Sequence, residues 1–89
     1  MTEQAVTAQA IADTLRVALQ TNTLEVLDES AAHAGHAGAN GSGSGTHFRV
    51  RIGSPLFTGR SRVAQHRLVY DSLRVFMDQG LHALAIEVL

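Results

Sequence analysis

Residues 31–46 read Ala-Ala-His-Ala-Gly-His-Ala-Gly-Ala-Asn-Gly-Ser-Gly-Ser-Gly-Thr, and five of the chain's eight glycines fall within them. Such a run is too permissive to hold a helix or a strand, because each glycine has more backbone freedom to lose than any other residue. It predicts a flexible Gly/His loop over 31–45. A loop of that length is unusual in a small domain and is commonly functional or disordered. The chain has only 89 residues, about the size of one domain. Residues 1–89 are therefore read as a single domain, with the regular elements on either side of the loop.

Before the loop, Ala8, Ile11, Leu15 and Leu19 recur at three- and four-residue steps, the spacing of one helix face. The helix is predicted over 3–20, capped by Thr2, with Glu3 at the positive end of its dipole. Thr21-Asn22-Thr23 ends it, since these side chains compete for backbone hydrogen bonds. Residues 23–29 predict a strand with Leu24 and Val26 on one face and Glu25 on the other.

After the loop, residues 46–53 alternate cleanly. Phe48, Val50 and Ile52 point one way, and His47, Arg49 and Arg51 point the other. That pattern predicts a half-buried strand with a basic outer face. Pro55 excludes a continued central strand, and Phe57 is expected to anchor in the core. A short helical turn near 55–59 then makes a helix-turn-helix-like element with a second helix, about 62–78, capped by Ser61. Its apolar stripe is read as Val63, Tyr70, Leu73 and Met77, with His66 on the same side and Val69 and Phe76 widening it. Gly80 suits a left-handed stop. A last strand, 82–88, alternates His82, Leu84, Ile86 and Val88 with Ala83, Ala85 and Glu87, and its inward face stays open. The order is α-β-β-α-β, an α+β fold. The first two strands pair antiparallel, and the second and third pair parallel through a right-handed crossover. The result is a three-stranded mixed sheet with helices on one face.

The chain has no cysteine. That excludes disulfides, a thiol nucleophile and any all-cysteine metal site built by the chain alone. No stretch approaches the roughly 20 apolar residues of a membrane span, and Met1-Thr2-Glu3-Gln4 lacks the positive charge of a leader. A cytoplasmic protein is expected. There is no G-K-[ST] phosphate loop and no lysine. Ser42 and Ser44 lack a positioned base, and no catalytic set emerges. An enzyme is not expected, nor a small-molecule substrate.

Net charge is −1, yet it is segregated. The acids Glu3, Asp13, Glu25, Asp28 and Glu29 dominate the first 30 residues, whereas six of the seven arginines lie between 49 and 74. No global field attracts nucleic acid, but a local basic patch can form. Arg60, Arg62 and Arg67, near the start of the second helix, are its candidate residues. The plain alternative is a solvated face with surface ion pairs.

The five histidines are His33, His36, His47, His66 and His82. From spacing alone two readings stand for His33 and His36: a zinc-type site with a third ligand, or two solvated loop residues. His47 reads as a polar outer-face strand residue, and His66 as a hydrogen-bonded histidine half buried under the sheet. His82 opens the last strand, either as a structural strand-end residue or within reach of the loop.

Several strings, in order, resemble the BolA family. They are Leu24-Glu25-Val26-Leu27-Asp28-Glu29-Ser30, His33-Ala34-Gly35-His36, Thr46-His47-Phe48-Arg49-Val50, Phe57-Thr58-Gly59-Arg60-Ser61, His66-Arg67-Leu68-Val69-Tyr70 and Gly80-Leu81-His82-Ala83-Leu84-Ala85-Ile86. The resemblance runs from about residue 8 to 88. It implies a fold similar to the type II KH topology. It also implies a partner, a monothiol glutaredoxin, with which the chain would share a [2Fe-2S] cluster. The glutaredoxin and glutathione would supply thiolates. His82 would be one imidazole ligand, and His33, with His36 as its substitute, the other. Gln65 departs from the family's usual Arg-His-Arg triplet, and the run from Gly41 to Gly45 makes the loop longer than is common. The resemblance also admits, as the alternative, a DNA-binding transcriptional regulator using the helix-turn-helix-like region. Against that alternative, the G-x-x-G clamp of KH domains is missing, with Gly59-Arg60-Ser61-Arg62 the nearest string.

Overall fold

The structure is a computed structural model that describes residues 6–30 and 47–89. The expectations for a mobile 31–45 loop and a Thr2 cap fall outside those residues. The first helix, α1, is Ala8–Ala18. It starts later than the predicted residue 3, because Thr7 is extended and its Oγ accepts a hydrogen bond from Ala10 N–H at 3.0 Å. That side chain satisfies one of the free N–H groups of the first turn and so fixes the boundary.

Strand β1, Leu24–Asp28, and strand β2, His47–Ile52, pair antiparallel with Val26 opposite Val50. Strand β3, Ala83–Val88, lies parallel to β2 with Val50 opposite Ile86. The strand order is β1-β2-β3, as expected. A parallel neighbour requires a crossover, supplied here by a 3-10 turn at Pro55–Phe57 and the helices α2, Arg62–Ser72, and α3, Arg74–Asp78. Ser54 fixes the turn: its Oγ accepts from Leu56 N–H at 3.0 Å and donates to the Leu19 carbonyl at 2.6 Å.

The predicted second helix is thus two helices meeting at Leu73. Ser72 Oγ donates back to the Leu68 carbonyl at 2.7 Å, a contact that bends helices. The Leu73 N–H is shared between the carbonyls of Val69 and Tyr70 at 3.2 and 3.1 Å. The bend lets both Leu73 and Phe76 reach full burial.

The core joins Ile11, Leu15 and Leu19 of α1 to Phe48, Val50 and Ile52 of β2 and to Val69, Leu73 and Phe76 of the crossover. Leu84, Ile86 and Val88 pack against it, which settles the open question of β3: its alanines and Glu87 face out. Phe57 is buried as expected. The stripe predicted for the second helix needs correction. Val63 is 67% exposed and Tyr70 42%, because α2 rolls Val69 into the core instead. No helix among the described residues is long and apolar enough to cross a membrane.

Candidate functional site

Parallel pairing brings the starts of β2 and β3 to the same end of the sheet, and antiparallel pairing brings the finish of β1 there too. Three sequence-distant strings therefore meet: Asp28-Glu29-Ser30, His47 and His82. His47 pairs with Ala83, so His82 is its neighbour. The two rings lie 6.5 Å apart between centroids, tilted by 41°.

Each backbone is held from below. Ser30 is 1% exposed. Its Oγ accepts from His47 N–H at 2.9 Å and donates to the His47 carbonyl at 3.3 Å, while Glu29 N–H donates to the same carbonyl at 2.8 Å. The Ser30 N–H in turn donates to Asp28 Oδ1 at 2.9 Å. On the other side, Gly80 has φ +115° and Leu81 N–H reaches the Phe76 carbonyl at 3.1 Å. This is the six-to-one bond of a helix stop with glycine in the left-handed position. Leu81 is buried, so exposed His82 rises from an anchored residue.

His33 and His36 lie outside the described residues.

The outer face of the sheet is not basic, contrary to the alternation reading. Arg49 bonds Glu29 at 3.0 Å and Glu87 at 2.8 Å, and Arg51 lies 3.4 Å from Glu25 and 3.5 Å from Glu87. The hydrogen bonds that Arg49 donates, to Glu29 first and then to Glu87, push its pKa up. Those carboxylates sit far away in sequence, so strand periodicity alone could not reveal them.

Arg16 and Arg74 are likewise paired, with Asp13 and Asp71. Among the described residues, Arg60, Arg62 and Arg67 are the arginines without a carboxylate partner. All three are exposed around the start of α2. Arg62 opens α2 and Arg67 is its middle residue, about 140° away around the helix, so the two do not share a face. Arg62 lines a cleft of about 380 Å³ with His66, Ile86 and Val88, and Arg67 lines a neighbouring groove with Val63, His66 and Tyr70. The Tyr70 hydroxyl donates to the Leu84 carbonyl at 3.2 Å. Gln65, where the resemblance leads one to expect arginine, donates through Nε2 to the carbonyls of Phe57 and Arg60, both at 3.1 Å. It fastens the 3-10 turn to α2.

Two residues here escaped the sequence reading: Ser30, and His47 as a neighbour of His82. The register of the parallel pair is the signal that would have found the second.

A family model described as BolA-like protein matches residues 15–89. The UV-induced protein uvi31 of Schizosaccharomyces pombe is 47% identical over 75 residues, 82% of this chain and 74% of that protein. The DNA-binding transcriptional regulator BolA of Escherichia coli is 38% identical over 78 residues, 88% of this chain and 70% of that protein. The solved BolA domain of SufE1 from Arabidopsis thaliana matches with a TM-score of 0.79 at 42% identity, covering 91% of this chain and 87% of that one. Against the whole SufE-like protein 1 the match is 47% identical over 79 residues, 85% of this chain but 21% of that protein.

Proposed function

Because the chain belongs to the BolA-like family, we propose that it is an iron–sulfur adaptor that binds a monothiol glutaredoxin and completes a shared [2Fe-2S] cluster with imidazole ligands. The observation that carries this reading is His82, an exposed imidazole on an anchored backbone at the end of the sheet where both ends of the 31–46 segment converge. The donor chemistry fits. A chain without cysteine depends on thiolates from elsewhere, here the glutaredoxin and glutathione. Imidazole in place of thiolate on one iron raises a cluster's reduction potential. In this reading His82 is the fixed ligand and His33 the tethered one, with His36 able to replace it.

The test mixes the purified chain with a cluster-loaded monothiol glutaredoxin and records visible absorption and circular dichroism. The expected result is an altered cluster spectrum that His82→Ala abolishes. His33→Ala weakens it less, and His33→Ala with His36→Ala approaches the His82 effect. An unchanged spectrum for His82→Ala overturns the ligand assignment.

A second reading, a DNA-binding regulator, is favoured by one observation: of the three described arginines without carboxylate partners, Arg60 and Arg62 flank the capped start of α2 and Arg67 lies farther along the same helix. The Escherichia coli relative, a DNA-binding transcriptional regulator by name, points the same way.

A further inference from the structure

We propose that His47 and His82 form a two-imidazole site that binds one first-row divalent transition-metal ion, such as Zn²⁺, on the isolated chain and without any thiolate. The inference asks nothing of a glutaredoxin and goes beyond the shared-cluster reading.

Two imidazoles that share one ion at Zn–N distances of about 2.0–2.1 Å have ring centroids roughly 5–6 Å apart. The observed separation is 6.5 Å. A side-chain rotation at exposed His82 closes the difference of roughly 1 Å without backbone movement. The backbones are already fixed, one by Ser30 and Glu29, the other by the buried Leu81. Little ordering entropy therefore remains to be lost on binding.

The surroundings accept a cation. Beside His47 the outer face holds a hollow of about 260 Å³ lined by Glu29, Arg49, Ala83 and Ala85. The two outward alanines leave room for an ion and its waters. Arg49 does not repel it strongly, since Glu29 and Glu87 hold that guanidinium in ion pairs. Among the described residues no group of three metal-ligating side chains gathers, so water fills the remaining positions. Imidazole-rich sites of this kind suit zinc, copper and nickel over calcium or magnesium.

The experiment titrates Zn²⁺ into the isolated chain carrying His33→Ala and His36→Ala, which removes the two imidazoles of residues 31–46. Binding is followed by calorimetry and by nitrogen-15 NMR of the histidine rings. The expected result is saturable binding of one ion, with ring signals of His47 and His82 shifting together. In the same background, His82→Ala and His47→Gln should each weaken binding by about tenfold or more, whereas His66→Ala on α2 leaves it unchanged. The backbone spectrum of each variant reports folding, and His82, exposed ahead of β3, is removable without touching the core. Absence of saturable binding in the His33→Ala/His36→Ala chain overturns the proposal. So does binding that survives both His82→Ala and His47→Gln. The His47→Gln variant separates this site from the shared-cluster reading, which assigns that residue no ligand role.

Discussion

Ser30 uses one hydroxyl to join residues on either side of the 31–46 segment. It accepts from and donates to the same residue, His47, while buried to 1% exposure. Removing it strands the His47 N–H in a place water reaches poorly. Ser30→Ala should therefore cost about 1–3 kcal/mol, read as a lowered midpoint in urea unfolding. A loss of no more than about 0.3 kcal/mol, well below that range, would mean that other groups satisfy His47. Gln20 is the opposite case at the same scale. Among the described residues it is the non-glycine one with positive φ, at +52°, where α1 stops and Thr21 N–H bonds the Arg16 carbonyl at 3.2 Å. An L side chain there costs roughly 1–2 kcal/mol, part of which the unfolded chain gives back when glycine makes it more flexible. Gln20→Gly should raise stability by about 0.5–1 kcal/mol in the same assay.

At the scale of elements, the stop after α3 sets where β3 begins and therefore where His82 stands. Gly80 at φ +115° has open space around its missing Cβ, so the constraint there is backbone conformation and not crowding. Gly80→Ala should destabilise by about 1–2 kcal/mol. Because the stop also aims His82, the variant should weaken the altered cluster spectrum of the glutaredoxin complex even where it is fully folded. A normal spectrum would separate the stop from ligand placement. The crossover itself illustrates what a helix pattern leaves open. Val63, Leu68, Val69, Tyr70 and Leu73 spread over a broad arc of α2, and nothing in that arc selects Val69 for the core over Val63. The packing of β2 against the crossover makes the choice, and it leaves Val63 and Tyr70 on the surface.

Across the whole molecule, charge divides into two sets. Arg49 and Arg51 are absorbed by Glu25, Glu29 and Glu87 on the open sheet face, Arg16 by Asp13 on its own helix, and Arg74 by Asp71 across the junction of α2 and α3. The molecule's net charge of −1 gives no long-range attraction to a polyanion, so any DNA binding has to be local. If it occurs through Arg60, Arg62 and Arg67, affinity should fall with salt at a logarithmic slope of about 0.9 per phosphate neutralised. Replacing all three with alanine should flatten that slope. Salt-insensitive binding, or an unchanged slope in the triple variant, removes the DNA reading. Band-shift titrations at several salt concentrations measure both.

The sequence by itself determined the order α-β-β-α-β, the burial of Phe48, Val50 and Ile52, the Ser61 cap, the Phe57 anchor and the glycine stop at residue 80. Each is a local property: a two-residue alternation, a three-to-four-residue step, a hydroxyl before a helix, a residue without Cβ. Tertiary structure alone decided the rest. The loss of the expected basic outer face needs Arg49 to meet Glu87, 38 residues away. The approach of the His47 and His82 rings follows from the parallel register that sets His47 opposite Ala83, and a slip of one residue would turn every strand side chain to the other face. Contacts between distant residues depend on how whole elements dock, and docking minimises the energy of the entire core, which no window of the sequence contains.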